Sequence, residues 1–150
     1  MVCGYERRFM QEALAQAHKA FLENETPVGA VIVYQDRILC RAYNQMQQQK
    51  KSWAHAEFLI LEHAHSLLKT PYLSECFLYV TLEPCLLCSA LLHTCRIGGI
   101  FFGAYNPKKG GLAHGPCFFQ KSYTPAPIVI GGILQSECEK VLDLFFKTLR

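Results

Sequence analysis

Ala54-His55-Ala56-Glu57-Phe58-Leu59-Ile60-Leu61 and, further on, Cys76-Phe77-Leu78-Tyr79-Val80-Thr81-Leu82-Glu83-Pro84-Cys85-Leu86-Leu87-Cys88 are the stretches that decide the fold. The first opens a segment with Phe58, Leu59, Leu61, Ala64, Leu67 and Leu68 at helical intervals, and Thr70-Pro71 ends it. The second begins as a buried strand, Cys76 to Thr81, and continues into a helix running to about Thr94, with Pro84 suited to its first turn. Ile97 to Phe102 is a further strand. Such a helix-strand-helix-strand unit sets two helix starts side by side, one carrying His55 and Glu57 and the other Cys85 and Cys88.

Outward from this unit, Tyr5 to about Glu23 carries Phe9, Ala13, Leu14, Ala17, Ala20 and Phe21 as a helical stripe, stopped by Asn24-Glu25-Thr26-Pro27. Val28 to Tyr34 and Ile38 to Tyr43 form a hairpin around Gln35-Asp36-Arg37, and Asn44 to Trp53 is a polar loop. Towards the C-terminus, Gly103, Gly110, Gly111 and Gly115 with four prolines make 103–127 a long, turn-rich loop, which in a compact domain is usually functional or partly disordered. Ile128-Val129-Ile130 is a fifth, short strand. Ser136-x-x-Glu139 is a capping box opening a final helix with Val141, Leu142, Phe145, Phe146 and Leu149 on one face. Strands alternating with helices predict a mostly parallel sheet covered on both faces, made mixed by the opening hairpin.

A chain of 150 residues with 51% hydrophobic and 18% charged residues suits one globular domain over 1–150. No apolar run is long enough to span a membrane, and the N-terminus lacks the apolar region of a secretion signal, so a cytoplasmic location is expected. The net charge of +3 permits an anionic partner without indicating one. Of eight cysteines, Cys3, Cys40, Cys76, Cys95, Cys117 and Cys138 are scattered among apolar residues and behave as small hydrophobes; only Cys85 and Cys88 form a spaced pair.

An imidazole and two thiolates are zinc ligands, and a catalytic zinc site keeps a fourth position open for water. His55 and Glu57, two apart, can serve one site only at a helix entrance, before the regular spiral would turn them to opposite sides. Cys85 and Cys88, three apart, share a helix face, and a helix N-terminus favours thiolate. Zinc held by two thiolates and a neutral imidazole is about neutral overall, a weaker Lewis acid than a three-histidine site, so Glu57 is needed to carry protons. Alone, Cys85 and Cys88 could equally be a redox pair or half of a structural site completed by His63, His65, His93, Cys95, His114 or Cys117. Glu83 is expected to be a structural hydrogen-bonding carboxylate, and His63 and His65 to be surface or interface residues.

His-x-Glu with Pro-Cys-x-x-Cys is the general signature of zinc-dependent nucleobase deaminases. Within that cytidine/deoxycytidylate deaminase superfamily the chain resembles the bacterial tRNA-specific adenosine deaminases over nearly its whole length. The resemblance rests on Pro27 to Val31, Ala54 to Glu57, Thr81 to Cys88, Arg96-Ile97 and Phe102 to Ala104. It implies a three-layer α/β/α fold with a mixed five-stranded sheet and hydrolytic conversion of adenosine to inosine at the wobble position of a tRNA anticodon. It implies one Zn2+ per subunit on His55, Cys85 and Cys88, with Glu57 as proton shuttle. Asn44, the Ala56 backbone, Val28 and Asn106 would contact the substrate, and Lys50, Lys51, Arg96, Lys108 and Lys109 the RNA phosphates. The anticodon stem-loop would be bound by a homodimer. Asn106 stands where the family usually has aspartate, and Tyr105 where it commonly has arginine. Because Asn can donate as well as accept, altered discrimination between RNA and DNA is expected. The rival functions are deamination of free guanine, cytosine or a nucleoside, and a non-catalytic zinc-stabilised binding subunit.

Overall fold

The computed structural model describes residues 3–115, 119 and 126–149. In chain order the elements are α1 (Cys3–Leu22), β1 (Gly29–Tyr34), β2 (Arg37–Tyr43), α2 (Met46–Gln49), α3 (Ala56–Leu68), β3 (Cys76–Leu82), α4 (Leu86–Thr94), β4 (Gly99–Ala104), β5 (Ile128–Ile130) and α5 (Gln135–Thr148). The five strands form one mixed sheet in the order β2-β1-β3-β4-β5.

The sheet is half antiparallel, where a mostly parallel one was expected. β1 pairs antiparallel with both β2 and β3, while β3–β4 and β4–β5 are parallel. The reason is directional. A helical crossover returns the chain in its original direction, so β3, reached from β2 through α3, runs as β2 does. It lands beside β1, which the hairpin has already reversed. That hairpin turns at Gln35 and Asp36, both at positive φ (52° and 60°), as a tight two-residue connection requires.

Alternation along the strands feeds two separate cores. Ala30, Ile32, Leu78, Val80, Ile100 and Phe102 face Ile60, Leu61 and Ala64 of α3 and Leu92 of α4. Val31, Val33, Tyr79 and Phe101 face Phe9, Met10, Ala13, Leu14 and Ala17 of α1 and Cys138 and Val141 of α5. Successive strand residues point to opposite faces, so both sides of the sheet are covered and the fold has three layers. On the α1 side the approach is close: a Cβ on Gly29 would lie 2.2 Å from the Ala13 carbonyl oxygen and 2.4 Å from the Ala17 nitrogen.

Three local expectations are corrected. The 44–53 loop contains a one-turn helix, α2. α4 begins at Leu86 with Cys85 as its N-cap, so Pro84 precedes the helix instead of sitting in its first turn. Cys85 is held extended by a bridge to Gly110, and the Pro84 carbonyl accepts the Gly111 N–H at 2.9 Å, which keeps both residues out of the spiral. Finally, Ser136 does not cap α5. The helix starts at Gln135, and Leu134 is its N-cap at φ 52° with no side-chain capping bond. Leu134 packs onto the α1-side core, which draws the helix start forward.

Candidate functional site

Each ligand-type residue at the site sits in the first turn of its helix or just ahead of it. His55 is the N-cap of α3 (φ −74°, ψ 154°) and Cys85 the N-cap of α4 (φ −70°, ψ 174°); both are extended and neither side chain is spent on capping. Both are therefore free to turn towards each other. Cys88 follows in the first turn of α4 and is fully buried.

The geometry fits a tetrahedral metal. His55 Nδ1 lies 3.7 Å from Cys85 Sγ and 3.5 Å from Cys88 Sγ. Bond lengths of about 2.05 Å to nitrogen and 2.3 Å to sulfur at tetrahedral angles require about 3.6 Å. All three donor atoms lie within 4.8 Å of one another, and no other such cluster of three or more occurs among the described residues. The donor set is soft and nitrogen–sulfur, the chemistry of zinc.

The electrostatics agree. The Cys88 thiol beside Cys85 holds the latter's pKa down at about 4, helped by His55 and opposed by burial. Cys88 is driven up by the same contact and by its burial. The two sulfurs thus share one proton, which a divalent cation would replace. His55 is raised, chiefly by its bond to Cys85. Glu57, in the first turn of α3 and only 5% exposed, is pushed up to about 7 by burial, against its own backbone N–H and His55, and it contacts Cys88.

Glu83 is the structural carboxylate expected of it, in a larger role than the sequence suggested. It is 1% exposed. Oε1 accepts the Asn106 N–H (3.0 Å) and faces His114 Nδ1 (2.9 Å); Oε2 accepts the N–H groups of Leu112, Ala113 and His114 at 3.2, 2.9 and 3.0 Å. Burial raises its pKa, but these donors outweigh it and the net shift is downward. The carboxylate thereby pins the 106–114 loop against Cys85, one of the three candidate ligands. Gly110 has to be glycine there: a Cβ would meet Glu83 Oε2 at 2.2 Å.

Of the other candidates for a fourth ligand, His114, His65, Cys95 and His93 are engaged elsewhere. His114 is on Glu83. His65 bridges the Thr70 carbonyl oxygen (2.8 Å) and Cys95 Sγ (3.3 Å). The His93 ring meets Phe119 with centroids 5.9 Å apart. His63 is exposed on α3, and Cys117 lies outside the described residues.

Of the residues expected to meet substrate, Asn44, Ala56 and Val28 are buried at 5%, 0% and 8% exposure. The Asn44 N–H reaches the Val28 carbonyl at 3.0 Å, and Ala56 is the first residue of α3, where backbone N–H groups point out of the helix. Asn106 is half-buried, and its Oδ1 accepts the Lys109 N–H at 3.1 Å. An aspartate could do the same with one oxygen, so asparagine differs only in the amide group left over. Lys50, Lys51, Lys108 and Lys109 are exposed, and Lys109 is close enough to lower the pKa of His55. Arg96 is not brought to this place. It follows the far end of α4, about 15 Å from Cys85 along the helix, and its guanidinium lies 4.2 Å above the Tyr72 ring.

Sequence reasoning missed two residues here: His114, as the partner of Glu83, and Glu25. The only sequence signal for the first was the Gly110-Gly111 pair, a place where another group approaches the backbone closely.

Residues 5–104 match the model of the cytidine and deoxycytidylate deaminase zinc-binding region. A tRNA-specific adenosine deaminase of Bacillus subtilis is 37% identical over 143 residues, covering 95% of this chain and 89% of the relative. One from Aquifex aeolicus is 44% identical over 104 residues, 69% of each chain. Among solved structures, one from biochemical and structural studies of A-to-I editing by tRNA:A34 deaminases superposes with a TM-score of 0.87 at 36% identity, over 90% of this chain and 99% of that one. A guanine deaminase from Nitrosomonas europaea shares the fold at 18% identity and a TM-score of 0.81, over 93% of this chain and 83% of that one. With a matching zinc-binding region that carries His55, Cys85 and Cys88, and relatives of this kind along most of its length, the chain belongs to the cytidine and deoxycytidylate deaminase family, among the tRNA-specific adenosine deaminases.

Proposed function

We propose that this protein hydrolyses adenosine to inosine at the wobble position of a tRNA anticodon, with zinc held by His55, Cys85 and Cys88. The observation that carries the proposal is the buried Glu57 carboxylate beside three converging donors. A purely structural zinc site has no use for such a carboxylate, and this weighs against a non-catalytic subunit. Zinc, when bound, supplies a Lewis acid that lowers the pKa of water. Glu57 takes the proton that water gives up, delivers it to the purine ring nitrogen, and then moves a proton to the departing amine. The water oxygen ends on the purine carbon, and the C–N bond breaks to release ammonia.

Asn44 and the Ala56 backbone hydrogen-bond the base, Val28 forms a wall of its pocket, and Asn106 meets the nucleotide at the mouth. Lys50, Lys51, Lys108 and Lys109 provide cations around that mouth for an unstacked RNA loop. We assign one zinc per subunit, a homodimeric assembly and a cytoplasmic location. No helix among the described residues is long and apolar enough to cross a membrane.

The test is to offer the zinc-loaded protein total tRNA, free adenosine, cytidine and guanine in parallel. Inosine in tRNA anticodons is the expected product. Turnover confined to a free base or nucleoside would overturn the assignment of substrate. Glu57→Ala should keep its zinc and lose turnover; surviving activity would overturn the mechanism.

A further inference from the structure

Glu25 stands in a segment that by sequence only stops a helix, yet its side chain is 1% exposed. The backbone places it firmly: Asn24 has φ 61°, and the Glu25 N–H bonds the Ala20 carbonyl of α1 at 2.9 Å. The carboxylate then reaches across to the 44–54 loop. Oε1 accepts the Gln47 N–H at 3.0 Å and faces Asn44 Nδ2 at 3.5 Å, while Oε2 accepts the Gln48 N–H at 2.7 Å. Gln47 and Gln48 belong to α2, a helix of four residues whose own N-cap, Gln45, makes no capping bond. One turn cannot sustain itself in isolation; Glu25 supplies the acceptors for its first backbone N–H groups, and the Gln48 side chain adds a bond to Glu23 Oε2 at 3.3 Å.

The neck of the loop lies beside the candidate metal centre. Gln45 N–H bonds the Ala54 carbonyl at 2.9 Å, so Asn44 and His55 are the two residues flanking that closure. A carboxylate only accepts hydrogen bonds, so Asn44 has to turn its N–H2 group to Glu25 and keep Oδ1 for another partner. On the Glu25 side of Asn44, a cleft of about 610 Å3 is lined by Glu25, Asn44, Gln48, Phe145 and Phe146 among others, without the residues of the candidate metal centre.

We propose that Glu25 is a positioning residue: by clamping α2 and fixing the orientation of the Asn44 amide beside His55, it sets the hydrogen-bonding face that the site offers to a substrate base. This rests on the proposed deaminase function and adds a residue that does not touch the reacting atoms.

A double-mutant cycle with Glu25→Gln and Asn44→Ala tests it, using the zinc-loaded protein and a synthetic anticodon stem-loop bearing adenosine at the wobble position. Amide hydrogen exchange and zinc content are measured on the same samples. Each single variant should keep its zinc and lose on the order of tenfold or more in kcat/KM, and the double variant should be no worse than the poorer single. Glu25→Gln, which keeps a single acceptor oxygen, should also lose exchange protection at Gln47 or Gln48, and Glu25→Asp, which keeps the charge, should recover part of the activity. Should Glu25→Gln fail to fold, Glu25→Asp replaces it in the cycle. Losses that multiply in the double variant, or unchanged protection at Gln47 and Gln48, overturn the proposal. If the parent protein does not deaminate the RNA, the functional reading fails, and the exchange result alone decides whether Glu25 clamps the loop.

Discussion

Replacing Glu83 by glutamine should cost about 2–4 kcal/mol of stability and loosen the metal centre together with it. The carboxylate has no solvent-exposed surface and serves five donors, two through Oε1 and three through Oε2. Glutamine keeps the shape but must turn an N–H2 group towards one of these sets. The cheaper choice puts it at the Oε1 position, where the Asn106 N–H loses its acceptor and the His114 ring must change tautomer to accept. One orphaned buried donor costs about 1–3 kcal/mol, and losing the charge weakens the remaining bonds by about 1 kcal/mol more. The damage falls on the 106–114 loop, which pairs with Cys85 through Gly110 and bonds Pro84 through Gly111. Urea unfolding should show the loss, and zinc transfer to a chromogenic chelator should run several-fold faster than in the parent. pH provides a second reading of the same interaction. The native pKa of Glu83 lies below its ordinary 4.5, so its contribution is complete above the unfolded value and disappears as pH falls through the native one. The parent's urea midpoint should therefore drop below about pH 4.5, and more steeply than that of Glu83→Gln. A Glu83→Gln protein within about 0.5 kcal/mol of the parent, with the same chelation rate, would refute the reasoning.

Other consequences can be measured directly. Glu57→Gln should retain zinc while turnover falls by about 100- to 10,000-fold; its metal-free form should be more stable than the parent at pH 8, since glutamine removes a carboxylate that burial has raised to about 7. Thiol labelling of chelator-treated protein should reach Cys85, with its pKa near 4, well before Cys40 and Cys76, which burial raises to about 12 and about 11 and which should stay unlabelled until urea unfolds the chain. Gly29→Ala should cost about 1–3 kcal/mol by urea titration, because the new methyl group would press on the α1 backbone at Ala13 and Ala17. Leu92→Ala, which empties a fully buried position under α4, should cost about 2–5 kcal/mol.

The convergence of His55, Glu57, Cys85 and Cys88 was legible in the sequence because it is tied to short local spacings. A residue two positions after a histidine, or a cysteine three positions after another, has its relative direction set by the first turn of a helix, and the turn is written in the neighbouring residues. The same holds for the alternating strands and for the stripe of α1, whose periods need no knowledge of the rest of the chain. The antiparallel placement of β3 against β1 was not legible, because strand order depends on which edge the chain returns to after α3. Nor were the partners of the carboxylates. Glu83 was legible as a structural hydrogen-bonding residue ahead of Pro84, but not the loop it holds, and Glu25 was not legible at all. Both serve backbone N–H groups some 20 to 30 residues away, and nothing local to Glu25 distinguishes it from an exposed glutamate such as Glu62. Local spacing thus determined the candidate metal site, while the tertiary fold alone decided which loops the buried carboxylates hold around it, because hydrogen bonds between distant segments exist only once the sheet has brought those segments together.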